Sequence, residues 1–325
     1  MKQPLGVAGT PVWILPFILV AAFLAVQGQA APFADGRAGF EVRFRNLVIP
    51  YEVAAIFVMP GESIELEVVD PEPGAVFTLA ANGPVTERGR AKWSWMVPTA
   101  PGFEEIRITE TASGRVMVLN VGILVPRSKV AGGVLNGYRM GDYPDVPLKG
   151  LSIYLPPAGF IEMTPENEYL KVSPHFTLGQ FQCKQGGEYP KYIVLRTRLL
   201  LKLELILEEV NRRGYPCDTF AILSGYRTPQ YNHAIGNVKY SRHVWGGAAD
   251  IFIDSDPVDG TMDDLNGDGK NTIADAAVLY ALIDHLYGEP WYSPFVGGLG
   301  QYRKTTAHGP FVHVDVRGFR ARWGD

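Results

Sequence analysis

Between Phe40 and Pro126 the chain consists of short alternating runs, and this period of two constrains the fold more than any other feature. In ESIELEVV, Ile64, Leu66 and Val68 fall on one face, and EEIRITE places Ile106 and Ile108 likewise. The turn signals MPGE, DPEPG, ANGP and TAPG punctuate the same stretch. Short half-buried strands with this punctuation predict a β-sandwich and argue against an all-helical chain. The 36 glycines and 25 prolines among 325 residues agree, since both types are used at turns. This region has no histidine and no catalytic cluster, so Trp93 and Trp95 are expected to be packing residues and the chemistry is expected elsewhere.

At the amino terminus, Lys2 precedes an apolar run from Val12 to Val26, followed by the small residues GQAA at 28–31. The run falls short of the roughly 20 residues that span a bilayer as a helix, and Pro16 weakens it further. Residues 1–31 are expected to be a signal peptide cleaved after Ala30 or Ala31, with an uncleaved membrane anchor as the alternative. Either places the rest of the chain in the periplasm or outside the cell. There, Cys183 and Cys217 either pair or remain buried thiols. With 30 basic and 34 acidic residues, a net charge of −4 and no long basic run, the chain is not expected to bind nucleic acid. Two cysteines exclude a disulfide scaffold or a multi-cysteine zinc ribbon.

Residues 127–174 are rich in Gly, Pro and Tyr and are expected to form a connector. From Tyr192 the pattern becomes helical: Leu195, Leu199, Leu203, Ile206 and Val210 recur along one stripe, and Gly214 supplies the stop. Three apolar segments follow, TFAILS (219–224), AADIFI (248–253) and FVHVDV (311–316), each predicted to be a strand. The carboxy-terminal half is therefore expected to be α+β.

Five of the six histidines, His233, His243, His285, His308 and His313, lie at or beyond residue 233, with His175 before them. In SRHVWGGAAD, His243 precedes Asp250 by seven residues, and Gly246 and Gly247 permit the tight backbone that lets the two side chains converge. In FVHVDV, the alternation puts Phe311, His313 and Asp315 on one face and three valines on the other. Two histidines and one carboxylate form a three-ligand set suited to catalytic zinc, with a fourth position left for water.

The third segment is SGYRTPQYN, residues 224–232. With SRHVWGGAADI and FVHVDVRG in this order and spacing, residues 175–325 resemble the zinc D-alanyl-D-alanine carboxypeptidases and murein endopeptidases, whose fold is shared with the Hedgehog signalling domain. The resemblance implies a zinc metallopeptidase acting on peptidoglycan stem peptides, with His243, Asp250 and His313 as zinc ligands. It also implies that Arg227 holds substrate or stabilises charge on the scissile carbonyl, as an always-charged guanidinium can. Many relatives carry an acidic residue or histidine two or three positions before the last ligand, whereas Phe311 and Pro310 stand there in this chain. His308 and Asp315 are then the candidate bases, Asp315 also being placed to orient a ligand histidine.

DLNGDGKNTIAD, residues 264–275, fits an EF-hand-type calcium loop. Asp264, Asn266, Asp268, Lys270 and Asp275 take positions one, three, five, seven and twelve, and Gly269 the sharp turn at six. Against it, the last ligand is Asp rather than Glu and Asn271 takes the usual apolar position eight. The alternative is a Gly/Asn turn leading into a capping box from Thr272 to Asp275. The expected architecture is an immunoglobulin-like β-sandwich over 37–126, the connector over 127–174, and an α+β zinc peptidase domain over 175–325 carrying the loop. The rival functional class is a zinc-containing module that binds cell wall or protein without turnover.

Overall fold

Two sheets built from the alternating runs dominate the first third of the chain. The computed structural model describes Met1 and residues 33–324, so the expected signal peptide or anchor lies outside the described residues. The strands are β1 (Arg37–Phe44), β2 (Leu47–Tyr51), β3 (Val53–Val58), β4 (Ser63–Val68), β5 (Phe77–Ala81), β6 (Val85–Gly89), β7 (Lys92–Met96), β8 (Gly102–Glu110) and β9 (Val116–Ile123). One sheet has the order β2-β1-β4-β7-β6 and the other β3-β9-β8-β5. Ile64, Leu66 and Val68 of the first and Ile106 and Ile108 of the second are buried in one apolar cluster, as the period of two requires. Trp93 and Trp95 pack inside, and the Trp95 indole N–H donates to the Asn82 carbonyl at 2.7 Å.

The connector is ordered. β10 (Val125–Pro126) precedes it, it holds β11 (Val134–Leu135), β12 (Tyr138–Arg139), β13 (Gly159–Met163) and β14 (Lys171–Ser173), and β15 (Phe176–Thr177) follows it; β13 pairs antiparallel with β16 (Lys191–Ile193). That pairing corrects the expected helix start. Tyr192 and Ile193 are strand residues, and α1 runs only over Thr197–Arg212. Gly214 follows it with φ +89, a conformation suited to a helix stop.

Helix α1 is also buried more completely than a single stripe predicts. Leu199, Leu200, Leu201, Leu203, Ile206, Leu207 and Val210 are all buried. The reason is that α1 has neighbours on two sides. Thr197 Oγ1 donates to the Ala55 carbonyl of β3 and the Tyr51 hydroxyl to Glu208, while Lys202 Nζ donates to the Asp315 carbonyl.

Beyond α1 come β17 (Ala221–Ser224), α2 (Pro229–Ala234), β18 (Ala248–Phe252), α3 (Ile273–His285), β19 (Gly298–Tyr302), β20 (Phe311–Asp315) and β21 (Ala321–Gly324). The sheet order is β17-β18-β20-β19-β21, and only the β19–β21 pairing is parallel. The three predicted strands are present as β17, β18 and β20, while β19 and β21 complete the sheet. Helix α3 packs against β19 and β20.

No helix among the described residues is long and apolar enough to cross a membrane. Cys183 and Cys217 are free, buried thiols.

Candidate metal centre

The register of the sheet β17-β18-β20-β19-β21 brings the chemistry together. Asp250 of β18 lies directly opposite His313 of β20, so both side chains project from the same face. His243 reaches them from the one-turn 3₁₀ segment Arg242–Trp245, whose end is set by Gly246 at φ +60. A Cβ at Gly246 would run into the Val194 backbone, so this turn needs glycine for space as well as for its torsion angle.

His243 Nε2 lies 3.2 Å from Asp250 Oδ1 and 3.2 Å from His313 Nδ1, and His313 Nδ1 lies 2.8 Å from Asp250 Oδ1. Ligands at about 2.0–2.2 Å from a tetrahedral zinc are roughly 3.3 Å from one another. The donor set thus has the spacing of a metal site, and it is the only such group of His, Cys, Asp or Glu side chains among the described residues.

Each ring is oriented by its other nitrogen. His243 Nδ1 donates to the Gly225 carbonyl at 2.6 Å, which leaves the Nε2 lone pair facing the centre. His313 Nε2 lies 3.2 Å from Asp315 Oδ2, which leaves Nδ1 facing it. Burial pushes His243 towards its neutral form. Burial also works against charge on His313, but its hydrogen bonds to Asp250 and Asp315 outweigh that and raise its pKa. Desolvation opposes ionisation of Asp250, yet His243 and His313 hold its carboxyl well below the usual range.

Arg227 donates from Nη2 to Asp250 Oδ2 at 2.7 Å and from Nε to Ser224 Oγ at 2.9 Å. It lines the same cleft as the three candidate ligands, a space of about 980 Å³. His308 lines this cleft too. Its Nδ1 lies 2.8 Å from the Gly309 carbonyl and donates to it, leaving Nε2 as the basic nitrogen. Asp315 occupies a different position. It is fully buried, and its oxygens accept from Gly298 N–H, from Arg317 and from His313. It is therefore built to orient His313, the supporting role weighed from the sequence, and not to receive a proton in the cleft. Trp245 is core, its indole N–H donating to the Leu155 carbonyl, whereas Tyr302 does line the cleft.

Among the described residues, the carboxylates of the loop 264–275 do not come together as a metal-binding group. Its candidate ligands are taken up by the loop's own amides: Asp264 accepts from Gly267, Asp268 and Gly269, Asn266 from Asp268, and Asp268 from Lys270. Asp275 is buried and accepts from Leu265, Asn266 and Thr272, while Thr272 Oγ1 accepts from Ala274. This is the capping box of α3. The expectation of calcium finds no support.

Three further contributors, Arg317, Ser224 and Gly225, lie within the motifs FVHVDVRG and SGYRTPQYN. Arg317 continues the alternation His313, Asp315, Arg317 by two residues. Ser224 and Gly225 open the SGYRTPQYN segment and hold Arg227 and His243 respectively.

Residues 174–261 match a family model described as Peptidase M15, a span that contains Arg227, His243 and Asp250 and ends before His313. No curated protein gives a significant match. Among solved structures the chain is similar to the crystal structure of the titin M3 domain, at 14% identity over 26% of this chain and 97% of that one, with a TM-score of 0.17. A likeness that low carries no argument about fold or function. The Peptidase M15 match, together with a His-Asp-His cluster that fits a metal site, supports a zinc-dependent metallopeptidase.

Proposed function

We propose that this protein hydrolyses peptide bonds involving D-amino acids in peptidoglycan, as a D,D-carboxypeptidase or murein endopeptidase, with zinc held by His243, Asp250 and His313. The observation that carries the proposal is the convergence of these three donor groups beside Arg227 in one cleft. Bound zinc supplies a Lewis acid that polarises a carbonyl and brings the pKa of a water to about 7.

The chain's own groups do the rest. Arg227, anchored by Asp250 and Ser224, directs a fixed positive charge at the developing oxyanion or at a substrate carboxylate. His308 receives the proton of the attacking water at Nε2 and returns it to the leaving amine. Asp315 keeps His313 in the required tautomer.

Lys184, Lys239, Arg242 and Arg317 also line the cleft, and among the described residues Asp250 is the only carboxylate in its lining. That balance favours a carboxylate-bearing peptide. On the same reading the apolar run Val12–Val26 supports a site of action in the periplasm or outside the cell, after export or from a membrane anchor. The two-sheet region is proposed as an immunoglobulin-like module.

A second reading, a zinc-containing module that binds wall peptides or a protein without turnover, is favoured by one observation: among the described residues, no second carboxylate lines the cleft to act as base. Digestion of purified murein by the full chain with added zinc, with His243→Ala as control, separates these readings. Loss of cross-linked fragments identifies an endopeptidase, and loss of single terminal D-Ala a carboxypeptidase. Unchanged fragments in the presence of stoichiometric bound zinc establish the binding module.

A further inference from the structure

The segment Tyr143–Leu155 precedes the residues that match the peptidase family, and on sequence it is connector. Yet it meets the His243 loop at four hydrogen bonds in succession. The Tyr240 hydroxyl donates to the Val146 carbonyl at 2.9 Å, Arg242 Nη1 to Ile153 at 2.9 Å, the Trp245 indole to Leu155 at 3.0 Å, and the Tyr143 hydroxyl to Val244 at 3.0 Å. Three of the four partners on the loop are residues 242, 244 and 245, all within two positions of His243. The contact is also apolar: Tyr154 packs edge-on against Trp245 and Tyr240 and lies under the Arg242 guanidinium.

Tyr143 does more than clamp one loop. Its single hydroxyl proton goes to the Val244 carbonyl, so the Tyr226 hydroxyl, 2.8 Å away, donates to Tyr143. Tyr226 stands between Gly225, whose carbonyl orients His243, and Arg227, which holds Asp250. One phenol oxygen thus ties together the two loops that present a candidate ligand, its orienting carbonyl and the cleft arginine.

We infer that Tyr143 is a positioning residue of the metal centre and that Tyr143–Leu155 is a strap that fixes the His243 loop. This rests on the zinc reading above. The strap also supplies Leu148 and Tyr154 to the cleft lining, so the element that fixes the loop forms part of the wall that substrate meets.

Tyr143→Phe in the full chain removes the hydroxyl and keeps the ring. Tyr240→Phe removes a second strap bond at a more exposed position and serves as the milder variant. Zinc affinity is read by competition with a chromophoric chelator, site geometry by the visible spectrum of the cobalt-substituted protein, and folding by the melting temperature of the metal-free form. Zinc affinity is expected to fall about tenfold or more in Tyr143→Phe, the effect usual for groups behind metal ligands. A smaller loss is expected in Tyr240→Phe, and the cobalt spectrum is expected to change in both. Wild-type zinc affinity and cobalt spectra in both variants, with only a lowered melting temperature, would reduce the strap to a structural contact and overturn the inference. A wild-type chain that binds neither metal would instead overturn the zinc reading, and the inference with it.

Discussion

Asp315 holds His313 on the side of the ring away from Asp250: Oδ2 lies 3.2 Å from Nε2, while Nδ1 of the same imidazole lies 2.8 Å from Asp250 Oδ1. The carboxylate is itself fixed by Gly298 N–H at 2.8 Å and by the Arg317 guanidinium. A helix side chain supports this arrangement from behind, since Lys202 Nζ donates to the Asp315 carbonyl at 2.7 Å. Burial lowers the Lys202 pKa to about 7. The centre is thus held by α1 as well as by the sheet.

Asp315→Asn keeps the shape and removes the charge. The Arg317 side chain, 19% exposed, then loses its ion pair, and His313 loses the charged acceptor that selects its tautomer. Stability is expected to fall by about 3 kcal/mol, the low end for breaking a buried pair because Arg317 is partly exposed. Metal affinity is expected to fall about 10–100-fold. Thermal melts and chelator competition check the two effects separately.

Arg227→Met removes a guanidinium bonded to both Asp250 and Ser224. If Arg227 stabilises charge in the transition state, kcat falls by about 10²–10³, the usual consequence of losing one such donor. If it only binds a substrate carboxylate, KM rises and kcat is retained. Steady-state kinetics on a carboxylate-bearing peptide and on its amidated counterpart distinguish the two roles.

Much of this centre was legible in the sequence because its determinants are local. The seven-residue spacing of His243 and Asp250, the two glycines between them, and the alternation of FVHVDV all act within one loop or one strand. The strands β19 and β21 were less legible for a physical reason. Gly298 and Gly300 are small because Asp315 and Trp323 fill the space where a side chain would be, so β19 lacks the alternating apolar pattern that marks a half-buried strand. The start of α1 was misplaced because Tyr192 and Ile193 are claimed by β13, a pairing across a long sequence separation that periodicity cannot reveal. Tyr143 is hidden for the same reason, its partners Tyr226 and Val244 lying 83 and 101 residues away.

His175 joins the start of the described chain to α1. Its Nδ1 lies 2.7 Å from Glu204 Oε2, its Nε2 2.9 Å from the Ala34 carbonyl, and its ring stacks on Phe33. Burial and Lys171 work against its charge, but Glu204 and Ala34 outweigh them and raise its pKa. The added stability is therefore complete below the ordinary histidine value of about 6.5 and lost as pH rises through the folded value. His175→Gln is expected to lower the melting temperature more in mildly acidic than in alkaline buffer. An equal loss in both would show that the imidazolium contributes nothing.

For the loop before α3, the capping geometry predicts effects of substitution and none of calcium. Thr272→Ala removes one cap and is expected to cost about 1 kcal/mol. Asp275→Ala leaves the Leu265, Asn266 and Thr272 amides without their acceptor and is expected to cost more, about 2–3 kcal/mol. Melting temperatures in calcium and in chelator are expected to coincide. A rise with calcium would show that the loop rearranges its carboxylates around an ion.

The assignment of the base rests on His308, whose Nδ1–H is occupied by the Gly309 carbonyl while Nε2 remains a proton acceptor in the cleft. His308→Gln is expected to lower kcat/KM by about 10²–10⁴, while zinc content stays at the wild-type level because His308 is outside the donor cluster. Wild-type kcat/KM in the variant would exclude His308 as the base, because a group that carries the proton of the attacking water cannot be removed without slowing the reaction.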